Sequence, residues 1–460
     1  MISSILISSD NFWTGGRETF VKSYSDLCKQ ERINLYLLAD QIANSGVSNI
    51  FEDHCSLMDK SKQIVELGEW ITRGGCFVTN TKPDLIWAQH YRTLPAWLLS
   101  VQHRLPLVTT IHGPLLGVGR VATVEDAIGV TLALHRGAGV TAVSQEIVDQ
   151  LIQLGIAASK ITLIPNSVSV GNNPCVSAGV VPEVGVARAD QQSSTINCVM
   201  LTRAQKLEHI RAGVCLFAKL RKRRPEARLT IYSGINSEID ARVTRNKTFN
   251  LFQILAVSRK LGRRWLLKNI KLINVLPYIS MQPLTSEPEE AIQRADIVFG
   301  MGRVVLEAMA LERLVVLIGY QTPIGLVTEQ NFDAYQTTNF SGREQAPKCV
   351  DDIVQEIVNK IGQIKQAVNT PLFLANLAKR VDVRSSWKKI KQFFITAQVD
   401  SSFRPANKPV LKLIEDYQRE AIDQNSFLSI LLDLMTPEEK STLKKLLSAE
   451  GLLLESELSL

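Results

Sequence analysis

The chain has no C-x-x-C pair, no run of 18 apolar residues and no low-complexity tract. Its seven cysteines, at positions 28, 55, 76, 175, 198, 215 and 349, are odd in number and scattered. That pattern argues against both a disulfide framework and a zinc site. The lack of a long apolar run leaves no segment expected to span a membrane. The opening "MISSILISSDNFW" is apolar but has neither a basic n-region nor a small-residue cleavage site, so it predicts a first β-strand rather than a signal peptide. A reducing cytoplasm is the expected location. No base-reading or RNA-binding motif is present, so nucleic acid is not an expected partner.

What is present is a globular composition, with 45% hydrophobic and 21% charged residues over 460 positions. That length suggests about three units of roughly 150 residues each. The net charge of +7 is unevenly spread: residues 211–271 carry 16 Lys or Arg against three acids, Glu226, Glu238 and Asp240. The stretch 399–460 instead has seven basic and eleven acidic residues.

Short β-branched runs alternate with amphipathic stretches, the pattern of parallel sheets covered by helices. The first series reads "SSILISS", "INLYLLA", "DLIWAQH", "PLVTTIH", "GVTAVS" and "ITLIPN". The second reads "INCVMLT", "RLTIYSG", "IKLINVL", "ADIVFGM" and "LVVLIG". Between them, a Ser, Gly, Val and Pro-rich stretch without periodicity reads as a linker. The expected division is a Rossmann-like domain over 1–170, a linker over 171–196, a second Rossmann-like domain over 197–395 and a helical tail over 396–460. "SSWKKIKQFF" (385–394) is expected to close the second domain. In the tail, Thr436 is the expected N-cap of a helix with Pro437 at its first position and Glu438 and Glu439 favouring the positive end of the dipole.

Several residues are placed to carry chemistry. Gly15 and Gly16 follow the first strand, where paired glycines make either a tight turn or a close backbone approach to a ligand at a helix N-terminus. His112, in "VTTIHGP", ends a buried strand and precedes a glycine, the position at which ligands bind open α/β sheets. His90, at the end of "DLIWAQ", is the second choice. Arg203 and Lys206 lie at a strand-to-helix junction, where two cations suit a diphosphate; an ordinary solvated helix start is the alternative. A unit charge pair about 4 Å apart is worth roughly 4 kcal/mol at an effective dielectric of about 20, or about a thousandfold in rate. In "ADIVFGMGRVVLEAMA", Gly300 and Gly302 make a turn after which the N–H groups of Arg303, Val304 and Val305 are expected to receive phosphate. Glu307, one turn on, is set to accept hydrogen bonds from a ribose diol. Its alternative role is that of an acid near a helix N-terminus, although apolar neighbours require a carboxylate to have partners.

Taken in order, "TGG", "HG" at 112, "AVSQEIVDQL" with "KITLIPNSV", "TR…K" and "GRVVLEAMA" resemble the family 4 retaining glycosyltransferases of the GT-B fold, over about residues 1–395. The resemblance implies an α/β fold of two tandem Rossmann-like domains, here with a small C-terminal helical appendage. It also implies transfer of a sugar from a nucleotide diphosphate sugar to a carbohydrate or lipid-linked acceptor in polysaccharide or glycoconjugate synthesis. By position, Gly15 and Gly16 would approach donor or acceptor and His112 would contact the donor sugar. Arg203, Lys206 and residues 302–305 would hold the diphosphate, and Glu307 would bind the ribose. Neither a cofactor nor a metal is implied, and no D-x-D triplet occurs. The chain departs from the pattern in two places. Phe299 stands eight residues before Glu307, where the family has a glutamate, and Glu208 occupies the usual lysine position, so that equating Lys206 with that lysine needs a two-residue deletion.

Drawn as a helix, residues 249–271 set Leu251, Ile254, Leu255, Leu261 and Trp265 opposite Arg259, Lys260, Arg263, Arg264 and Lys268. This is either a surface helix packed on the sheet or an element lying on an anionic bilayer, peripheral at the inner membrane face. The other function class is a catalytically silent protein of the same fold that binds a glycan or a partner protein, using the tail as its docking element.

Overall fold

The computed structural model describes residues 2–12, 16–42, 50–56, 83–89, 91, 93–116, 123–169, 195–203, 206–234, 275–282, 288–343, 345–364, 380–399, 408–419, 421–450 and 452. Gly15, His90 and the basic stretch 249–271 lie outside these residues, as does most of the expected linker. The chain divides into two compact units, Met1–Asn166 with Val383–Leu460, and Ser167–Asp382.

The first unit opens with strands β1 (Ser4–Phe12), β2 (Asn34–Ile42), β3 (Asp53–Ser56), β4 (Leu85–Ala88), β5 (Leu107–Ile111), β6 (Gly139–Ala142) and β7 (Ile161–Leu163). Helices α1 (Gly16–Gln30), α2 (Leu94–His103), α3 (Val124–Arg136) and α4 (Gln145–Gln153) intervene. The seven strands form one parallel sheet in the order β3-β2-β1-β4-β5-β6-β7. Strands buried on both faces need continuous apolar runs, and every residue of β4, β5 and β6 is buried.

The second unit contains β8 (Ile196–Arg203), β9 (Ala227–Gly234), β10 (Ile279–Gln282), β11 (Ile297–Gly300), β12 (Leu314–Ile318) and β13 (Pro323–Leu326). With them run α5 (Leu207–Arg223), α6 (Pro288–Gln293), α7 (Arg303–Ala310), α8 (Glu329–Gln336) and α9 (Val350–Ile364). The sheet order is β10-β9-β8-β11-β12-β13, with only β13 antiparallel to its neighbour. Proline starts this edge strand, where a missing N–H is tolerated. Most of the expected strand "IKLINVL" lies outside the described residues; beside β9 runs β10, after a 3₁₀ turn at Leu276–Tyr278.

The expected closing helix of the second domain belongs instead to the first unit. Helix α10 (Val383–Val399) sets Val383, Trp387, Ile390, Phe394 and Ala397 into a core with Ile5, Ile7, Phe20, Tyr24 and Trp87. Their spacing of three and four residues makes one apolar stripe. Trp387 Nε1 donates to Glu31 Oε1 at 3.0 Å and Lys391 Nζ to Glu31 Oε2 at 2.8 Å. A chain read by adjacency assigns this helix to the strands just before it. Its partners lie far back along the chain: Glu31 and Trp387 are 356 residues apart.

The tail is likewise more than an appendage. Helices α11 (Lys408–Gln418), α12 (Gln424–Asp433) and α13 (Pro437–Ala449) bury Val410, Ile414, Phe427, Leu431, Leu443 and Leu447 in one core with residues of α2 and α3. Thr436 caps α13 in a capping box with Glu439, and Pro437 occupies the first turn, as the sequence predicts.

Candidate functional site

In the first sheet the strand order reverses between β1 and β4, and ligands of open α/β sheets bind beyond the strand ends at such switch points. Gly16 begins α1 immediately after this edge. Glu18, in the first turn of α1, is buried. At the end of β4, the Gln89 N–H donates to Ser8 O at 2.7 Å. His112 directly follows β5, and its Nε2 lies 2.7 Å from Gln89 Oε1. The Phe20 ring meets the imidazole edge-on, with centroids 4.9 Å apart and planes at 82°. The next residue, Gly113, is anchored by the Tyr91 hydroxyl, which donates to its carbonyl at 3.0 Å. His112 is thus held from two strands and one helix. His90, the second choice from the sequence, lies outside the described residues; its neighbour Gln89 is the residue that reaches His112.

In the second sheet the order reverses between β8 and β11. Arg203 is the last residue of β8, pairing with Gly234. Lys206 precedes α5; its Nζ lies 3.3 Å from Met301 Sδ and 5.3 Å from the centroid of the Tyr320 ring. Met301 precedes Gly302, so the Lys206 ammonium stands beside the start of α7. Gly302 has φ 62° and ψ −133°, a conformation reserved in practice for glycine. A β-carbon on Gly300 would fall 2.8 Å from Val304 Cγ1, so that glycine also keeps the turn close.

Two of the expected phosphate donors are already engaged. Gly302 N–H donates to Phe340 O at 2.8 Å, and Val305 N–H turns back to Gly302 O at 3.1 Å. Arg303 and Val304 stand in the first turn of α7, where backbone N–H groups have no carbonyl four residues behind them in the helix. The correction for Gly302 and Val305 has a plain cause: a tight 3₁₀-like first turn and a long-range partner, Phe340, that no local pattern reveals. Asn339 and Phe340 both have positive φ, 54° and 52°. Two successive non-glycine residues in that region are uncommon, and they bring the Phe340 carbonyl to Gly302.

Glu307 has a partner that the sequence reading overlooked. Arg303 Nε donates to Glu307 Oε1 at 2.8 Å across one helical turn. The two side chains are only 8% and 13% exposed. Burial raises the Glu307 pKa, Arg303 opposes the rise, and Glu289 adds to it. Four-residue spacing was the missed signal. Phe299 is fully buried within β11, flanked in register by Met200 and Val316, and packs in the core with Phe217. Its ring therefore presents nothing to a ligand at that position.

His209, in α5, is also close to this edge. Its Nδ1 donates to Gly319 O at 2.9 Å. Burial, with a contribution from Lys206, pulls its pKa down to about 4. A neutral imidazole beside Lys206 leaves the lysine as the cation there. Among the described residues no cluster of three or more His, Cys, Asp or Glu is arranged to hold a metal ion, and no helix is long and apolar enough to cross a membrane.

Residues 63–171, which include His112, match the family model described as Glycosyltransferase Family 4. The fold matches solved structures of the GT-B type. The Anabaena protein HepE in complex with UDP-glucose superposes with a TM-score of 0.58 at 14% identity, over 85% of this chain and 99% of that one. A glycosyltransferase from Rickettsia africae gives a TM-score of 0.54 at 15% identity, over 87% of this chain and 100% of that one. WaaG, a glycosyltransferase involved in lipopolysaccharide biosynthesis, gives 0.54 at 10% identity, over 85% and 99%. No protein of curated function matches the chain by sequence. The resemblance carried by the motifs and the two-sheet α/β fold are both borne out.

Proposed function

We propose that this chain, similar to the family 4 glycosyltransferases in its motifs and folded like the GT-B enzymes, transfers a sugar from a nucleotide diphosphate sugar to a carbohydrate or lipid-linked acceptor. The observation that carries the reading is the place of Lys206. Its ammonium is drawn to Met301, next to the glycine turn that opens α7, at the switch point of the second sheet. A cation and the N-terminus of α7, with a strand-end arginine, Arg203, make a set suited to a diphosphate leaving group. Catalysis of this kind is chiefly electrostatic, because charge grows on the departing phosphate as the glycosidic bond breaks. Glu307 receives the ribose diol, its carboxylate held by the Arg303 guanidinium at 2.8 Å. His112, at the corresponding edge of the first sheet, contacts the donor sugar.

Retention of anomeric configuration belongs to the same proposal, as departure of the nucleoside diphosphate and attack by the acceptor on one face of the sugar. Proton NMR of the newly formed product, read through its anomeric coupling, tests it: the donor's configuration is expected, and the inverted one refutes it. A role in polysaccharide or glycoconjugate synthesis, a cytoplasmic location and contact of residues 249–271 with an anionic membrane surface are further parts of the reading. Cosedimentation with vesicles with and without anionic lipid tests the last. Binding that is indifferent to lipid charge, or to replacement of Arg259, Arg263 and Arg264, refutes it.

The second reading is a catalytically silent glycan- or partner-binding subunit. Phe299 favours it, since a buried aromatic replaces the carboxylate that the family pattern sets against the donor sugar. Release of nucleoside diphosphate from any of a panel of nucleotide sugars eliminates this reading.

A further inference from the structure

Gln89 and Tyr91 lie just beyond β4, and both reach the corner at His112–Gly113. Tyr91 fastens the backbone of that corner, and Gln89 touches the imidazole itself, with Oε1 2.7 Å from His112 Nε2. Gln89 is fully buried, and its own backbone N–H is tied to Ser8 O at 2.7 Å, so the side chain starts from a fixed point. Its amide Nε2 is buried as well and has no hydrogen-bond partner among the described residues. A fold that needed only to fill this space would use an apolar side chain, because a buried donor without an acceptor destabilises the folded state. The amide is retained at a cost to stability, and its one bond goes to the candidate site histidine.

We infer that Gln89 is a positioning residue for His112, fixing the ring orientation and the Nε2–H tautomer. An amide oxygen accepts, so the imidazole nitrogen facing it must carry the proton, and in the neutral ring Nδ1 then holds the lone pair. Phe20, edge-on at 4.9 Å, blocks rotation of the ring out of this plane. The inference rests on the proposed role of His112 at the donor sugar, but it concerns a proton position that is measurable without turnover.

The experiment is ¹⁵N NMR of full-length protein labelled at histidine, at a pH where the ring is neutral, with His112→Asn to assign the signal. The expected result is a His112 Nε2–H tautomer in the unsubstituted protein. It should be lost or averaged in Gln89→Met, and kept in Gln89→Glu, whose carboxylate oxygen also accepts. Gln89→Met should unfold at the same temperature or a higher one, since it removes the unpaired buried donor. Sugar transfer should nevertheless fall on the order of tenfold or more, as when an orienting partner of a histidine is lost. An Nδ1–H tautomer in the unsubstituted protein overturns the inference, as does an unchanged His112 signal in Gln89→Met. A loss of activity in Gln89→Met that is matched by a lowered unfolding temperature also overturns it. Should Gln89→Met not fold, the unsubstituted protein and Gln89→Glu still decide the tautomer. Should no nucleotide sugar turn over, the proposed function fails while the tautomer stands or falls by its own spectrum.

Discussion

Arg303 and Glu307 form an ion pair, Nε to Oε1 at 2.8 Å, across one turn of α7 with both side chains largely withdrawn from water. The arrangement runs against the helix dipole, which disfavours a cation in the first turn. Breaking one member strands a buried charge, at about 3–5 kcal/mol, whereas replacing both with apolar groups is close to neutral. Arg303→Met and Glu307→Leu should each lower the unfolding free energy by that amount, and the double variant by much less. The two variants that lack Glu307 should lose nucleotide binding, and Arg303→Met should weaken it. Denaturant unfolding and calorimetric titration with a nucleoside diphosphate check this; a double variant that costs the sum of the singles contradicts it.

The same pair has a pH signature. Burial raises the Glu307 pKa above its unfolded value, so its contribution to stability is fully present below the unfolded carboxylate pKa and is lost as pH rises through the folded one. The ribose contact proposed for Glu307 uses the ionised carboxylate, so nucleotide binding is expected to run the opposite way and to strengthen with pH over the same window. Arg303→Met should move that binding transition to higher pH, because the group that opposes the rise is gone. Titration of nucleotide affinity against pH, with and without Arg303, is the measurement.

His209 gives a second, separable pH effect. Its pKa falls from 6.5 to about 4 on burial. The unfolded chain therefore binds a proton first as pH drops, and stability declines between pH 6.5 and about 4. The full effect is roughly 3 kcal/mol at 1.36 kcal/mol per unit. His209→Gln, which retains a side-chain donor for Gly319 O, should flatten that part of the profile. An unchanged acid slope contradicts the assignment.

Most of the fold was legible in the sequence because it is written in local periodicity: apolar runs for buried strands, glycines at strand ends, Thr436-Pro437 at a helix start. What was not legible depends on partners far along the chain. Helix α10 shows its apolar stripe plainly, but the core that receives it comes from Phe20, Tyr24 and Trp87. At the site, the turn at Gly300–Gly302 was readable from glycine spacing, while the engagement of Gly302 by Phe340 and of His112 by Gln89 was not. The Arg303–Glu307 pair was readable and was overlooked, since Arg303 was considered for its backbone alone. Arg203 is described only through its backbone in β8, and Gly15 lies outside the described residues.

The tail yields a prediction about integrity. Arg136 binds Glu439 through Nε to Oε1 at 2.6 Å and Nη2 to Oε2 at 2.7 Å, and also donates to Leu434 O at 2.9 Å. Glu439 additionally receives the Thr436 N–H in the capping box. Glu439→Ala should cost about 3–5 kcal/mol, the penalty for stranding the partner of a buried ion pair. A chain ending at Val399 should aggregate or unfold, because Leu431, Leu443 and Leu447 are part of the first unit's core. A truncated chain that remains monomeric in sedimentation and melts as the full chain does would show the tail to be dispensable.

The most direct measurement is nucleoside diphosphate release from a panel of nucleotide sugars, in the unsubstituted protein and in Lys206→Ala. Release is expected with at least one nucleotide sugar. It should fall by up to about a thousandfold on loss of the cation, the equivalent of roughly 4 kcal/mol, with little change in unfolding temperature, since Lys206 is not part of the core. Absence of release with every donor, together with nucleotide binding that Glu307→Ala leaves unchanged, would contradict the assignment of this chain as a glycosyltransferase.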